Sequence, residues 1–305
     1  LFIHTKKGLI LVLLLAAGFQ QINSLVAVQL NRSTTISSEE QTIRILSWNV
    51  SRWDERNKKK RGGVSYRPLM LDYIKLQNAD ILCVQEFFEC LAPEYFQENI
   101  PEFKKMGYPY VYFTPSSYLF NNKFQYGLCI LSRYPIVDSG FTNPFPGVHS
   151  EGVSFADISV NGAVIRVFNA HLESPGLTKS DYNTDGTAKV AVSTLSKIKN
   201  PYEKRYKQAD HLHTLINESP HPSVVCLDMN DVPASNIYYN IKGELQDAFL
   251  KKGAGLGRTY RYLSPFMRID YVFADKRLLL HQVETGNCIY SDHYPILVSL
   301  SPQKP

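Results

Sequence analysis

Acid, amide and imidazole side chains recur beside short apolar runs along this chain, in an order that could build one site. Asn49 closes ILSWNV, Glu86 follows ILCVQ, Asn169 and His171 lie in VFNAHLES, and Asp228 and Asn230 lie in VVCLDMND. Asp270 ends RID ahead of YVFA, and Asp292 and His293 lie in YSDHYP. Hard oxygen donors suit Mg²⁺ or Mn²⁺, which keep part of their water shell and take one or two carboxylates from the protein. Imidazoles and amides beside such an ion suit the handling of a phosphate ester. The chemistry these residues suggest is metal-dependent phosphoryl transfer to water.

Taken singly, each signal has a plainer reading. A charge after a buried strand is often a solvated strand end, and Asn is a common turn former. In the D-x-N of Asp228 and Asn230 both side chains project to one side of an extended backbone, yet an Asx turn before Pro233 would look the same. His171 has Asn169 two residues earlier on the same face, while His149, His211, His213, His221 and His281 have no such company and read as surface or packing residues. The most specific piece is Ser291-Asp292-His293-Tyr294-Pro295 soon after Arg268-Ile269-Asp270. A general base for water needs an imidazole held in one tautomer by a carboxylate, and Asp270 can do that for His293 while Asp292 stays free for metal.

Positioning these groups requires buried strands. The runs 43–50, 80–85, 126–132, 153–159, 163–169, 223–228, 269–273 and 294–300 are apolar and bounded by polar stretches. Helices are expected over Pro68 to Gln77, with Leu69, Tyr73 and Leu76 on one face, and over Tyr202 to Asn217. Ser174 to Lys199 carries little pattern and reads as a surface loop. The sum is mixed sheets with helices outside, in one domain of about 260 residues. The chain has 305 residues, 44% hydrophobic and 20% charged, with net charge +5. That is ordinary for a globular protein and falls short of the dense basic patch of a dedicated nucleic-acid binder. KKKR at 58–61, Lys204 to Lys207 and Lys251-Lys252 scatter positive charge over separate segments. Five cysteines without CxxC or Cys/His spacing offer no zinc site or disulfide framework, and Cys83, Cys129 and Cys226 fall inside expected strands.

At the N-terminus, Lys6 and Lys7 precede an unbroken apolar run from Gly8 to Phe19, and apolar character returns at Leu25 to Leu30. Residues 1–30 therefore read as a signal-anchor or the last of several transmembrane helices, and 31–42 as a polar linker to a catalytic domain at 43–305. The basic flank would face the cytoplasm, leaving the catalytic domain outside it, either anchored or released after cleavage.

In this order, W-N-V, V-Q-E, N-A-H-L, L-D-M-N-D, R-I-D-Y-V-F and S-D-H-Y-P resemble the endonuclease/exonuclease/phosphatase superfamily, the deoxyribonuclease I-like proteins. The match runs from about Arg44 to Leu300, with Y-G-L-C-I-L-S-R-Y-P-I at 126–136 as a further family-like strand. The resemblance implies a four-layer α/β/β/α sandwich with the site at one end of the two packed sheets. It implies Glu86 as principal metal ligand, helped by Asn49, with Asp292 a further metal-side carboxylate. Asp228 would orient or activate water, and Asn230 would hold phosphate or the attacking oxygen. His293 would be base or phosphate-stabilising group, oriented by Asp270, and Asn169 and His171 would contact the phosphate and leaving group. His171 agrees with the deoxyribonuclease I and sphingomyelinase side, where exonuclease III-like members carry Tyr. Asp-Val-Pro after Asn230 does not match the inositol 5-phosphatase signature. The N-terminal span followed by G-F-Q-Q-I-N-S is similar to a membrane-anchored bacterial branch, which implies the inner membrane, with a periplasmic or secreted product if cleaved.

The expected function is hydrolysis of a phosphodiester, in nucleic acid or in a phospholipid or other small phosphodiester, by a monomeric catalytic domain. A sphingomyelinase-like phospholipid phosphodiesterase would differ from a nuclease only in substrate. A membrane-tethered binding protein without turnover would require substitutions at catalytic-type positions, all of which are filled here.

Overall fold

The computed structural model describes residues 5–28, 42–145, 151–175, 188–262 and 267–303. Among the described residues, twelve strands form two six-stranded sheets. The first contains β1 (Ile43–Asn49), β2 (Ile81–Cys90), β3 (Tyr110–Leu119), β4 (Phe124–Ser132), β11 (Leu278–Thr285) and β12 (Ile296–Pro302), in the order β11-β12-β1-β2-β4-β3. The second contains β5 (Ile136–Thr142), β6 (Gly152–Val160), β7 (Ala163–His171), β8 (Ser223–Asp228), β9 (Gln246–Asp247) and β10 (Asp270–Ala274), in the order β5-β6-β7-β8-β10-β9. The β1–β2 and β7–β8 pairs are parallel and the other neighbours antiparallel, so both sheets are mixed.

Alternation along the central strands explains the layers. Ile43, Ile45, Ile81, Cys83 and Ile130 face Ala156, Ile158, Val167, Val224, Cys226 and Val272 between the sheets. The alternate residues Leu46, Trp48, Leu82 and Val84 pack outward against α3 (Arg67–Gln77) and α4 (Ile100–Lys105). On the other side Phe168, Ala170, Val225, Leu227 and Phe273 pack against α5 (Ala188–Asn217) and α6 (Asn236–Lys242). Because both faces of the central strands are covered, their sequences are nearly continuous apolar runs. A short helix, α7 (Ala248–Lys252), follows β9. Each large apolar side chain so buried contributes about 1.5–3 kcal/mol. The expected α/β sandwich, sheets inside and helices outside, is present.

Several local expectations change. Helix α3 forms where expected, but its buried face is Arg67, Met70, Leu71 and Ile74, while Leu69 and Leu76 are exposed. Both sets space like a helix face. The face that meets the first sheet is the one carrying Met70, Leu71 and Ile74, and Tyr73 lies at its margin with its ring 5.6 Å from that of Trp48. The stretch expected as loop from Ser174 to Lys199 is helical from Ala188 on, because α5 continues through Pro201, and 176–187 lie outside the described residues. So does His149, as does the expected linker apart from Thr42.

The N-terminal segment forms α1 (Thr5–Ala17) and α2 (Phe19–Leu25), which meet at 61°. Among the described residues no single helix is long and apolar enough to cross a membrane, though the two helices of this bent pair together have the length and composition of a span. The residues after the bend touch the body. Tyr239 donates to the Gln20 carbonyl at 3.0 Å, Arg268 donates to the Ser24 carbonyl at 2.8 Å, and Ala27 exchanges two 2.9 Å backbone bonds with Gly255.

Candidate active site

Strand register carries the polar residues to one edge. His171 ends β7 opposite Asp228 at the end of β8, and Asp228 in turn stands opposite Asp270 at the start of β10. Asn49 ends β1, beside β2, and the two sheets meet at this edge. Asn49 donates from Nδ2 to Asp228 Oδ2 at 2.9 Å, a bond from the first sheet to the second. Glu86 differs from the expected strand end. It lies inside β2, at a bulge where the pairing with β4 shifts between Val84 and Phe87, and its φ is +50°. A non-glycine residue in the left-handed region is costly, and bulges that re-aim a side chain cluster at functional sites.

His293 and Asp270 form the tightest pair. The imidazole Nδ1 donates to the Asp270 carboxylate at 2.9 and 3.0 Å, and both groups are buried. The backbone fixes each partner. Trp48 Nε1 donates to the His293 carbonyl at 2.9 Å, Ser291 donates its hydroxyl to the Asn49 carbonyl at 2.8 Å, and Asp270 N–H donates to Thr259 Oγ1 at 3.0 Å. With Nδ1 committed, Nε2 faces Asp228 Oδ2 at 3.7 Å. His171 Nε2 approaches the same oxygen at 3.5 Å. Burial alone would lower both imidazole pKa values. For His293 the nearby Asp270 and Asp228 outweigh it and hold the pKa well above the usual value. For His171, Asp228, Glu151 and Glu86 do the same and raise it to about 9. Asp270 is pushed up by burial and by Asp228 despite its bond to His293.

Sequence reasoning missed two residues here. Glu151 is buried just before β6, accepts the Glu86 N–H at Oε2 over 2.8 Å, and takes His171 Nδ1 on the same oxygen at 3.1 Å. Its signal was the one that marked Glu86, a carboxylate beside an apolar strand, here GVSFADI. Arg52 lies 3.2 Å from Glu86 through Nε and over the Tyr126 ring at 3.9 Å. It sits in a left-handed turn in which Ser51, Arg52, Trp53 and Asp54 have φ between +47° and +58°. Such residues cost roughly 1–2 kcal/mol each. Buried Trp53 offsets this by packing on Phe87 and Phe103 and donating to the Phe88 carbonyl at 3.1 Å. No sequence signal marks a turn of that kind.

Of the expected site residues, Asn169 lies between the two sheets. It is fully buried, its Nδ2 donates to the Val84 and Cys129 carbonyls at 3.1 Å each, and its Oδ1 accepts from Gln85 at 2.7 Å. Both N–H donors are spent joining the sheets, so Asn169 has none for a phosphate. Asn230, with φ +54°, donates from Nδ2 to the Leu172 carbonyl and from its N–H to Asp228 Oδ1, each at 3.0 Å. Asn49 is turned to Asp228 and takes the Ser51 N–H on Oδ1 at 2.9 Å. Asp292 is half-buried, with Oδ1 accepting from Ser291 at 3.3 Å. The histidines read as surface or packing residues find other partners: His211 meets Thr142, His213 Asn217, His221 Asp157 and His281 Ser301.

Two groups of residues could attract a cation. Among the described residues, Asp228, Asp270 and His293 bring ligand atoms within 4.8 Å of one another. In that trio, however, a proton already joins His293 to Asp270, and a metal would have to displace it. Around Glu86 the balance is different. Burial, Glu151 and Asp292 raise its pKa against the pull of His171 and Arg52, and Glu151 Oε1 is buried without a hydrogen-bond partner. A carboxylate cluster short of positive charge, with an orphaned buried oxygen, fits a hard divalent cation.

The sequence matches the endonuclease/exonuclease/phosphatase family over residues 46–293, and the chain belongs to that family. No curated protein matches the sequence. Solved structures with this fold include an endonuclease/exonuclease/phosphatase from Bacteroides vulgatus, with TM-score 0.60, 18% identity, and coverage of 87% of this chain and 100% of that one. The human Nocturnin catalytic domain with bound sulfate gives 0.57, 18%, 86% and 95%. A Bacteroides thetaiotaomicron mannosyl-6-phosphatase gives 0.55, 18%, 85% and 99%.

Proposed function

We propose that the protein is a divalent-metal-dependent phosphodiester hydrolase, held at a membrane by its N-terminal helices, with the catalytic body outside the cytoplasm. The observation that carries the catalytic reading is the buried His293–Asp270 pair aimed at Asp228. Glu86 would hold Mg²⁺ or Mn²⁺ with Asp292, and Glu151 stands close enough to share the charge. The ion, when bound, would neutralise phosphate oxygens. Asp228, fixed by Asn49 and by the Asn230 N–H, orients the attacking water on the side where His293 Nε2 exchanges its proton. Asp270 keeps Nδ1–H in place, so Nε2 is the working atom. His171, protonated between Asp228 and Glu151, supplies positive charge to the phosphate or the leaving oxygen. Arg52 adds a second fixed cation on the Glu86 side.

Support for the membrane placement is the run Leu9 to Leu15, exposed along its whole length next to Lys6 and Lys7. Recovery of the full chain in the soluble fraction of cells would refute that part. The catalytic reading is tested by assaying the purified protein with and without Mg²⁺ against plasmid, single-stranded DNA, RNA, phospholipid and inositol phosphates. Cleavage of at least one phosphodiester only with metal is expected, and indifference to metal refutes it.

A further inference from the structure

Beside Glu86 lies a groove of about 200 Å³ lined by Phe88, Phe96, Leu119, Phe124 and Tyr126, with Arg52 and Glu55 at its inner end. That is smaller than a whole-ligand pocket and large enough for part of one. Its rim continues the apolar surface. The Phe120 and Tyr95 rings pack on Phe124 with centroids 5.2 and 5.9 Å away, yet remain 72% and 60% exposed. A contiguous exposed apolar patch on a soluble body marks a ligand or membrane contact.

We propose that this groove holds the hydrocarbon chain of a lipid phosphodiester, with the phosphate at Glu86 and Arg52 at the junction. The assignment deepens the phosphodiesterase reading and rests on it. The lining decides the chemistry. A nucleobase needs parallel ring faces to stack on and partners for its polar edge. The rings here meet Phe124 at 64° to 86°, forming an apolar cup and not a slot. The polar groups at the inner end are largely engaged: Glu55 accepts from Ser65 and faces Lys58 at 3.9 Å, and Arg52 is set on Glu86 and Tyr126. Three buried atoms here have no hydrogen-bond partner, Arg52 Nε, Arg52 Nη1 and Glu55 Oε2. Arg52 Nε is ion-paired with Glu86 at 3.2 Å and Glu55 Oε2 with Lys58 at 3.9 Å, which leaves Nη1 of the guanidinium beside Glu86 for an acceptor from outside. A phosphate oxygen is the acceptor that position fits, with the chain running outward between Phe96, Leu119 and Phe124.

The test is a series of p-nitrophenyl esters of methyl, butyl, hexyl and octyl phosphate, kept below aggregation, beside the p-nitrophenyl ester of thymidine 5′-phosphate, with the full chain and Mg²⁺. kcat/KM should rise about fourfold per buried methylene and level once the groove is filled. Leu119→Ser, at an exposed rim position that does not threaten folding, and Phe96→Ser should flatten the series. A flat series with the native protein, or a nucleotide ester preferred over the octyl ester, overturns the proposal. If no ester is cleaved, the phosphodiesterase reading has failed, and the groove is then read by calorimetry. Octyl phosphate binding more tightly than methyl phosphate to the native protein, and equally to Phe96→Ser, would uphold the groove. Equal binding to the native protein would overturn it.

Discussion

The two halves of the site are built on opposite plans. On the second sheet, Asp228 and Asp270 stand beside two imidazoles that carry the compensating charge, and all four side chains are buried in regular strand ends or next to them. On the first sheet, Glu86 rides a strained bulge and its neighbour Arg52 sits in a left-handed turn, while Asp292 and, from just before β6 of the second sheet, Glu151 add negative charge faster than Arg52 removes it. The first plan is complete without a ligand and the second is not. On the proposed reading the work would be divided: the buried imidazole–carboxylate half would handle the proton, and the half with excess negative charge would take the cation and the phosphate.

The largest effect should come from the incomplete half. Exhaustive chelation should abolish turnover, and Mg²⁺ or Mn²⁺ should restore it. Glu86→Gln should raise the metal concentration needed for half-maximal rate by tenfold or more and weaken metal binding by calorimetry, with the circular dichroism unchanged. Full activity after chelation would remove the distinction between the halves.

The complete half should fail as a unit. His293→Ala and Asp270→Ala should each lower kcat by about 10²–10⁴-fold, typical of a lost acid–base group. The double variant should be little worse than His293→Ala, because residues acting jointly are strongly non-additive. Independent, multiplying losses would show that Asp270 does not act through His293.

The relay should also mark the stability of the metal-free protein. His171 has a folded pKa of about 9, raised above its unfolded value near 6.5. Its contribution is therefore full below about pH 6.5 and is lost as pH rises through 9. The denaturation midpoint of metal-free protein should fall across that window, and a midpoint that stays level through it would contradict the charge assignment.

The same asymmetry governed what the sequence revealed. Every strand with neighbours on both sides was legible: β1, β2, β4, β6, β7, β8, β10 and β12 each carry an apolar run, because both faces are covered. The four that escaped a clear reading, β3, β5, β9 and β11, are the sheet edges. Edge strands are half exposed and polar, as in IVDSGFT of β5, and so lack the run. His293, Asp270 and Asp228 were legible because they terminate central strands or lie near them. Arg52 and the bulge at Glu86 were not, since a left-handed backbone without glycine is imposed by packing around Trp53. The bridge that Asn169 makes between the sheets was not legible, because a buried amide joining two sheets and one facing a substrate share the same sequence context.

Glu151 touches both halves, so its loss should blur the difference between them by the smallest and most diagnostic amount. Glu151→Gln keeps the shape and can still accept the Glu86 N–H, but removes one of the charges that hold the proton on His171. The buried network should lose about 1–3 kcal/mol near pH 7 in metal-free protein, the usual cost of an imperfectly satisfied buried group. Because the lost charge acts through protonated His171, the gap between native and variant should narrow as pH rises above 9, where the native imidazole has also given up its proton. Metal affinity should fall as well, since Glu151 adds to the field around Glu86. A stability gap that stays constant across this pH range would make Glu151 a packing residue alone, and the two halves would then be joined only through Asn49 and Asp228.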